Sequence, residues 1–413
     1  MPKENEHEPS IAELYQELEE FCKKLFLAKK PFLERRTILR NHCKDLGLYI
    51  PDRDLFSIER KVRQATKGRS DGDFPNVPIE IEEEKWIWKT LISQEQLNLV
   101  VALQKVGKSS LISAFLAALT HGLTDYLGQE LTGGRRPLII VGTDQPQSDW
   151  ANILIPCGLA KRVNEKEVVW LPPIVRLWHK GNPLHLDEEG IETVSEVARV
   201  NPNSIVLLDA FSSLIRTLGL DEYKPEAVEP ISALCEALSE TRATPILLHH
   251  AGKGRDGERA SNASRGSNAL PAEASQIIQL NWLNPKNKKD QRIMVSTEGR
   301  NSKPVDYVFR QYERGLWESL GTTESIREEE EMEKIEAKLS ERQSLALTEI
   351  REQWKKTLKG ITAKDLKETY PNEWDHQNKA LNTLNQLENK GLCHSIKTNL
   401  PELGDVRLFK PPV

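Results

Sequence analysis

The sequence predicts an α/β core on a parallel sheet, preceded by a helical region and followed by a small helix-and-hairpin module. Three observations predict it. A phosphate-loop pattern, GKS, lies between an apolar run and a helix-forming run within LNLVVALQKVGKSSLISAFLAA. Further apolar runs alternate with amphipathic segments downstream, as strands separated by crossover helices do. After residue 343, three helix-length segments precede two short strand-like ones. Composition sets the limits. At 413 residues the chain has room for two or three domains. A net charge of −5 makes it no polycation, so nucleic-acid binding has to come from local patches. Cys22, Cys43, Cys157, Cys235 and Cys393 are scattered without a CxxC, which reads as reduced thiols rather than a disulfide frame or zinc site. The polar start MPKENEHEPS carries no apolar signal region, and no apolar run approaches spanning length. A cytoplasmic protein without membrane contact is expected.

The first part, residues 1–78, reads as helical up to residue 66. Leu14, Leu18, Phe21, Cys22 and Leu25 recur at helical spacing; Leu33, Ile38 and Leu39 form a second apolar group, and 46–50 a third, ending at Pro51. The stretch KGRSDGDFPNVP reads as a linker. The expected role of this N-terminal helical part is packing or oligomerisation. Residues 79–320 form the α/β domain, with strands expected at 97–102, 137–143, 204–209, 245–250, 276–280 and 293–297. Helices are expected at 108–122, 148–157, 188–201 and 227–241. Residues 321–343 are Glu-rich and read as an exposed helical linker. Residues 344–413 predict helices at 344–358, 363–369 and 376–390, then a hairpin whose tip is 399–405. That is the layout of a winged helix, with 376–390 as its recognition helix.

The chemistry centres on the phosphate loop, Gln104, Lys105, Val106, Gly107, Lys108, Ser109 and Ser110. A strand–loop–helix of this kind aims backbone N–H groups at phosphate oxygens. Lys108 would reach the β- and γ-phosphates of ATP, and the Ser109 hydroxyl would hold Mg²⁺. Ala102 stands where the pattern begins with Gly, so the loop must turn with ordinary dihedrals or carry strain there. Asp209 ends the apolar run SIVLLDA, at the sheet edge where ligands bind, and can meet Ser109 and the metal; capping the next helix is the other role open to it. Asp144 closes PLIIVGTD. It can act as base towards the attacking water, or simply serve the turn before Pro146.

His249 and His250 close PILLHH, where a polar group can touch a γ-phosphate; a surface histidine pair is the alternative. The following loop carries Lys253, Arg255, Arg259 and Arg265 among Gly, Ser and Asn. It can bind nucleic-acid backbone, supply cations to a neighbouring subunit's nucleotide, or stay solvated. Arg300, in STEGRNSKP, can stabilise phosphoryl charge across a subunit interface or serve as a turn arginine. In the C-terminal module, Gln377, Lys379, Asn382, Gln386 and Lys397 are the candidate DNA contacts. Protein–protein contact fits that module equally, because it has only eleven Lys and Arg against nine Asp and Glu.

With these residues on view, the chain resembles a RecA-like P-loop NTPase. More closely, it resembles the plasmid RepA-type hexameric helicase group and its bacterial and prophage relatives. The matching pieces are VVALQKVGKSS, LIIVGTDQP, SIVLLDAF, PILLHHAGKG, SRGSNALPAEASQIIQL and STEGRN, in the family's order, from Trp86 to Trp317. HH-x-x-K followed by RGSNAL is the most specific of them. The resemblance implies nucleotide contacts at Lys108 and Ser109, magnesium at Asp209 and phosphate sensing at His250. It also implies trans-acting cations at Arg300, Lys253 and Arg265. Ala102 and Asp144, where the family has Gly and Glu, depart from its pattern and bear on turnover. Three functions fit: an ATP-driven motor on single-stranded or duplex DNA, working as a homo-oligomeric and hexameric ring; an ATP-switched DNA-binding regulator; and a nucleotide-binding scaffold with feeble hydrolysis.

Overall fold

The computed structural model describes residues 9–28, 32–66, 83–252, 259–263, 268–300, 302–400 and 404–412. It divides into two compact units, Met1–Leu320 and Gly321–Val413.

The first unit is organised by one α/β sheet of nine described strands. In chain order they are β1 (Asn98–Ala102), β2 (Leu138–Gly142), β3 (Ile174–His179), β4 (Ile205–Asp209), β5 (Thr244–His250), β6 (Gln276–Trp282), β7 (Arg292–Gly299), β8 (Asp306–Glu313) and β9 (Leu316–Thr322). Their order in the sheet is β9-β8-β7-β6-β1-β5-β4-β2-β3. The six strands from β6 to β3 are mutually parallel. β7 is antiparallel to β6, and β8 to β7. The expected parallel sheet is thus present, and the strand expected at 293–297 differs only in joining it antiparallel. Only residues 283–291 separate β6 from β7, too few for a crossover, so the chain turns back on itself. Strands β3, β8 and β9 went unrecognised in the sequence. β3 (IVRLWH) is only half-buried and carries Arg176 mid-strand, so it lacks the continuous apolar run of its neighbours.

Side-chain alternation gives the parallel strands two cores. On one face Val100, Ala102, Ile205, Leu207, Ile246 and Leu248 pack with helix α4 (Lys108–Thr120) and with Trp150 and Leu154 of α5 (Gln147–Leu154). On the other, Leu99, Val101, Val206, Leu208 and Leu247 pack with α6 (Glu188–Val200), α7 (Phe211–Ile215) and α8 (Glu229–Ser239). α4 is apolar almost all round, as expected for a helix pressed into a sheet.

Before the sheet, α1 (Ile11–Leu27), α2 (Phe32–Asp45) and α3 (Asp52–Thr66) bury Leu18, Cys22, Leu25, Leu39, Cys43, Leu55, Ile58 and Val62 together. The third apolar group expected at 46–50 is not helical. Gly47, at φ 69°, ends α2, and the next helix starts only after Pro51. Buried charge ties these helices to the core. Arg36 pairs with Glu59 at 2.8 Å, and Arg35 with Glu59 and with Glu188 of α6. Burial, then the charge of Glu188, pushes the Glu59 carboxyl up to about 7 against the pull of the two arginines.

The second unit has its own core around Leu347, Ile350, Leu366, Trp374, Leu384, Leu387 and Phe409. It contains a helix at Thr323–Glu336, three more at Glu341–Thr357, Ala363–Thr369 and Gln377–Asn389, and a hairpin of His394–Leu400 with Gly404–Lys410. The strands continue into the expected tip, since Asn399 pairs with Asp405. Arg407 clamps the hairpin to the last helix through Asn385 at 3.0 Å and Glu388 at 2.6 Å.

Gly142 ends β2 with no room for a side chain. A Cβ there would lie 2.2 Å from the buried Trp150 ring, whose Nε1 donates to the Gly142 carbonyl at 3.0 Å. Gly142→Ala should therefore cost ~1–3 kcal/mol of stability through overpacking, read as a lower denaturant midpoint. An unchanged midpoint would refute this packing.

Candidate nucleotide site

The register places the site. Ala102, His250 and Leu280 stand level at the C-terminal ends of β1, β5 and β6, and Asp209 stands level with Leu248. β5 therefore lies between the strand that feeds the phosphate loop and the strand that ends in Asp209. Alternation then decides which side chains meet α4. On β4, Ile205 and Leu207 face α4, so Asp209 does too; on β5, Ile246 and Leu248 do, so His250 follows them. His249 points to the opposite face, where Phe211 meets its ring edge-on at 5.2 Å.

The loop from 103 to 107 turns by left-handed residues that the sequence did not mark. Ala102 stays within β1, fully buried, and the positive φ values fall at Lys105 (67°) and Gly107 (103°). Of the two alternatives, ordinary dihedrals hold at Ala102, and the left-handed turn falls on Lys105 instead. Gly107 caps α4 without any side-chain hydrogen bond, leaving first-turn N–H groups available to a ligand. Lys108 is buried, and its Nζ donates to the Ala102 carbonyl at 3.2 Å and meets His250 Nδ1 at 3.3 Å. Burial lowers its pKa, against the opposing charges of Asp209 and Asp144. Ser109 Oγ donates to Asp209 Oδ2 at 2.7 Å. Burial raises the pKa of the Asp209 carboxyl, opposed by the Ser109 hydrogen bond and the Lys108 charge.

One residue here went unmarked in the sequence: Gln145. Its Nε2 donates to Asp209 Oδ2 at 2.8 Å and to Ser109 Oγ at 3.3 Å. The only signal was position, one residue past Asp144 at the same edge of the sheet. Asp144 itself is exposed, and its charge acts on both Lys108 and Asp209. Gln311 of β8 donates to Ser110 Oγ at 2.9 Å, bracing the second serine of the loop.

The oxygens of Ser109 and Asp209 suit a hard cation such as Mg²⁺, which takes few protein ligands and keeps several waters. They fit the group structurally as well, because a buried carboxylate beside a hydroxyl needs positive charge. Among the described residues, no group of three or more His, Cys, Asp or Glu side chains could hold a metal.

The remaining candidates lie apart. Arg300 is exposed and bonds the carbonyls of Ala272 and Glu273. It follows Gly299, which stands level with Gln276 and hence with Asn98, at the edge opposite the phosphate loop. Arg259 is exposed; Lys253, Arg255 and Arg265 lie outside the described residues. In the second unit Gln377, Lys379, Asn382, Gln386 and Lys397 are all exposed. Lys379 pairs with Asp375 at 2.8 Å, and Gln386 accepts from Gln343 at 2.9 Å.

Fold and site together define a RecA-like P-loop core, and they support a P-loop ATPase. Residues 68–256 match the family model described as AAA domain. Among solved structures, the chain is similar to a KaiC-like protein from the hyperthermophilic archaeon Pyrococcus horikoshii OT3, at 13% identity and a TM-score of 0.38, covering 56% of this chain and 93% of that one. It is also similar to the ATPase domain of a second protein, at 12% identity and a TM-score of 0.37, covering 55% and 86%. No curated protein matches the sequence. Among the described residues, no helix is long and apolar enough to cross a membrane.

A Cβ on Gly107 would combine a strained φ with contacts of 3.1 Å to the Trp317 ring. Gly107→Ala should weaken nucleotide binding by roughly 1–3 kcal/mol, the scale of one strained residue. Equilibrium binding of a fluorescent ADP analogue checks this, and unaltered affinity would count against the loop's role.

Proposed function

We propose that the chain hydrolyses ATP at subunit interfaces of a ring of identical copies, and uses the cycle to move on or remodel DNA in the cytoplasm. The observation that carries the nucleotide part is the contact of Ser109 with Asp209 at the foot of a helix whose first turn also holds buried Lys108. Lys108 would leave the Ala102 carbonyl for the β/γ-phosphate oxygens. Ser109 and Asp209 would hold Mg²⁺, which neutralises charge on the transferring phosphoryl group. Asp144, exposed at the same edge, would orient and deprotonate the attacking water. His250 meets Lys108 at the tip of β5, and the basic segment follows directly, so phosphate loss at Lys108 has a short path to that segment.

The DNA part rests on Lys253, Arg255, Arg259 and Arg265 and on the resemblance to RepA-type helicases. For the second unit we infer a winged-helix role. The last helix buries Ala380, Thr383, Leu384 and Leu387 and leaves Gln377, Lys379 and Asn382 outward, groups that can read base edges or phosphates. An independent core in that unit favours a second reading, an ATP-switched DNA-binding regulator. Strand displacement on a forked DNA separates the two: a motor displaces the strand with ATP, and a regulator binds without displacing it.

Lys108→Ala should lower ATP turnover roughly 100-fold or more, the scale of losing a charge-stabilising group. Asp209→Asn should reduce turnover more than nucleotide affinity. Turnover near wild type in both variants would remove the site assignment.

Arg300 lies at the edge opposite its own phosphate loop, so a catalytic role requires a neighbouring copy. Mixing Arg300→Ala with Lys108→Ala subunits should give activity above either variant alone, because some interfaces regain a complete site. No recovery in demonstrably mixed oligomers would count against a trans role.

A further inference from the structure

Of the oxygens this core offers a cation, Gln145 touches Ser109 Oγ and one of the two carboxylate oxygens of Asp209, Oδ2. Chemistry dictates how its amide points. Turned over, Oε1 would face the acceptor Asp209 Oδ2; as placed, Nε2 donates to that oxygen at 2.8 Å and to Ser109 Oγ at 3.3 Å. Ser109 spends its own proton on the same Asp209 oxygen at 2.7 Å, so its Oγ is free to accept. Lys108 Nζ is engaged elsewhere, with Ala102 and His250. Among the described residues, Ser109 and Gln145 are therefore the two side chains that donate to this buried carboxylate. An oxygen lone pair given to an N–H cannot also be given to a metal.

The backbone of Gln145 is tied down on both sides. Its N–H donates to the Gly142 carbonyl at 3.3 Å, and its carbonyl accepts from the Lys180 N–H at 2.9 Å. Any change of partner therefore falls to side-chain rotation rather than to loop movement.

We propose that Gln145 is a positioning residue whose amide competes with magnesium for Asp209 and Ser109: it orients the two oxygens and is exchanged when the cation binds. The inference rests on the reading of this site as a magnesium–nucleotide site. It differs from a merely structural role in its consequence. A structural Gln145 would support every binding event alike, whereas a competing amide raises the magnesium concentration the site requires.

The test uses the full-length chain, a fluorescent ADP analogue as probe, and Mg²⁺ titrated upward from chelator-buffered trace levels. In Gln145→Ala, the Mg²⁺ concentration for half-maximal binding should fall roughly three- to tenfold, the scale of one net hydrogen bond. Affinity for the analogue in chelator should stay within about twofold, less than one such bond. Gln145→Met, of similar length without donors, carries the same expectation if the alanine variant does not fold. A requirement that rises or does not move overturns the proposal, as does an equal loss of binding with and without Mg²⁺ in a folded variant. If the wild-type chain shows no magnesium dependence, the reading of the site fails and the inference with it. If it shows one and the variants do not shift it, the inference fails alone.

Discussion

A buried carboxylate one hydrogen bond from the first turn of a helix is the constraint around which this molecule is arranged. Asp209 and Ser109 are 100 positions apart in sequence and 2.7 Å apart in space. That contact requires β4 and β1 in one parallel sheet with β5 between them, and α4 on the face to which odd-numbered positions of β4 point. It also requires β1 to end at Ala102, so that the turn from 103 to 107 delivers Lys108 rather than a neighbour to the strand ends. A one-residue slip in β4 would turn Asp209 into the opposite core. The continuous apolar runs on both sides of the sheet make such a slip expensive, because the faces bury different sets of side chains.

Burial has an electrostatic consequence. The same enclosure raises the Asp209 pKa and lowers that of Lys108, so each group is held in a place that disfavours its charge. A site in that condition gains from a ligand that brings complementary charges to both, as phosphates and a divalent cation do together. Perturbed ionisation at a strand edge, beside a capless helix N-terminus, is thus a physical reason to read function here rather than packing alone.

Much of this arrangement was legible in the sequence. The runs up to Ala102, Leu208 and Leu248 are short and apolar, and the second and third close on polar residues, Asp209 and His249-His250, which is how a strand buried on both faces and ending at a ligand edge reads. GKS between such a run and a helix located the phosphate loop. The illegible parts have equally physical causes. Gln145 carries no motif, because its role comes from a 2.8 Å contact made only after folding. The reversal at β7 depended on the brevity of residues 283–291; β8 mixes exposed charges with core residues such as Phe309, and β9 buries Trp317 among half-buried and exposed neighbours. The burden at Lys105 has no glycine to mark it, because the left-handed turn falls three residues past Ala102, on a residue type that rarely adopts it.

The most direct test of the central claim is a structure of the full-length chain determined with Mg²⁺ and ADP. The account predicts the β-phosphate at the N-terminus of α4, Lys108 Nζ transferred from the Ala102 carbonyl to phosphate oxygen, and density for a cation beside Ser109 and Asp209. Nucleotide bound elsewhere, or Lys108 still bonded to Ala102 with nucleotide present, would contradict it.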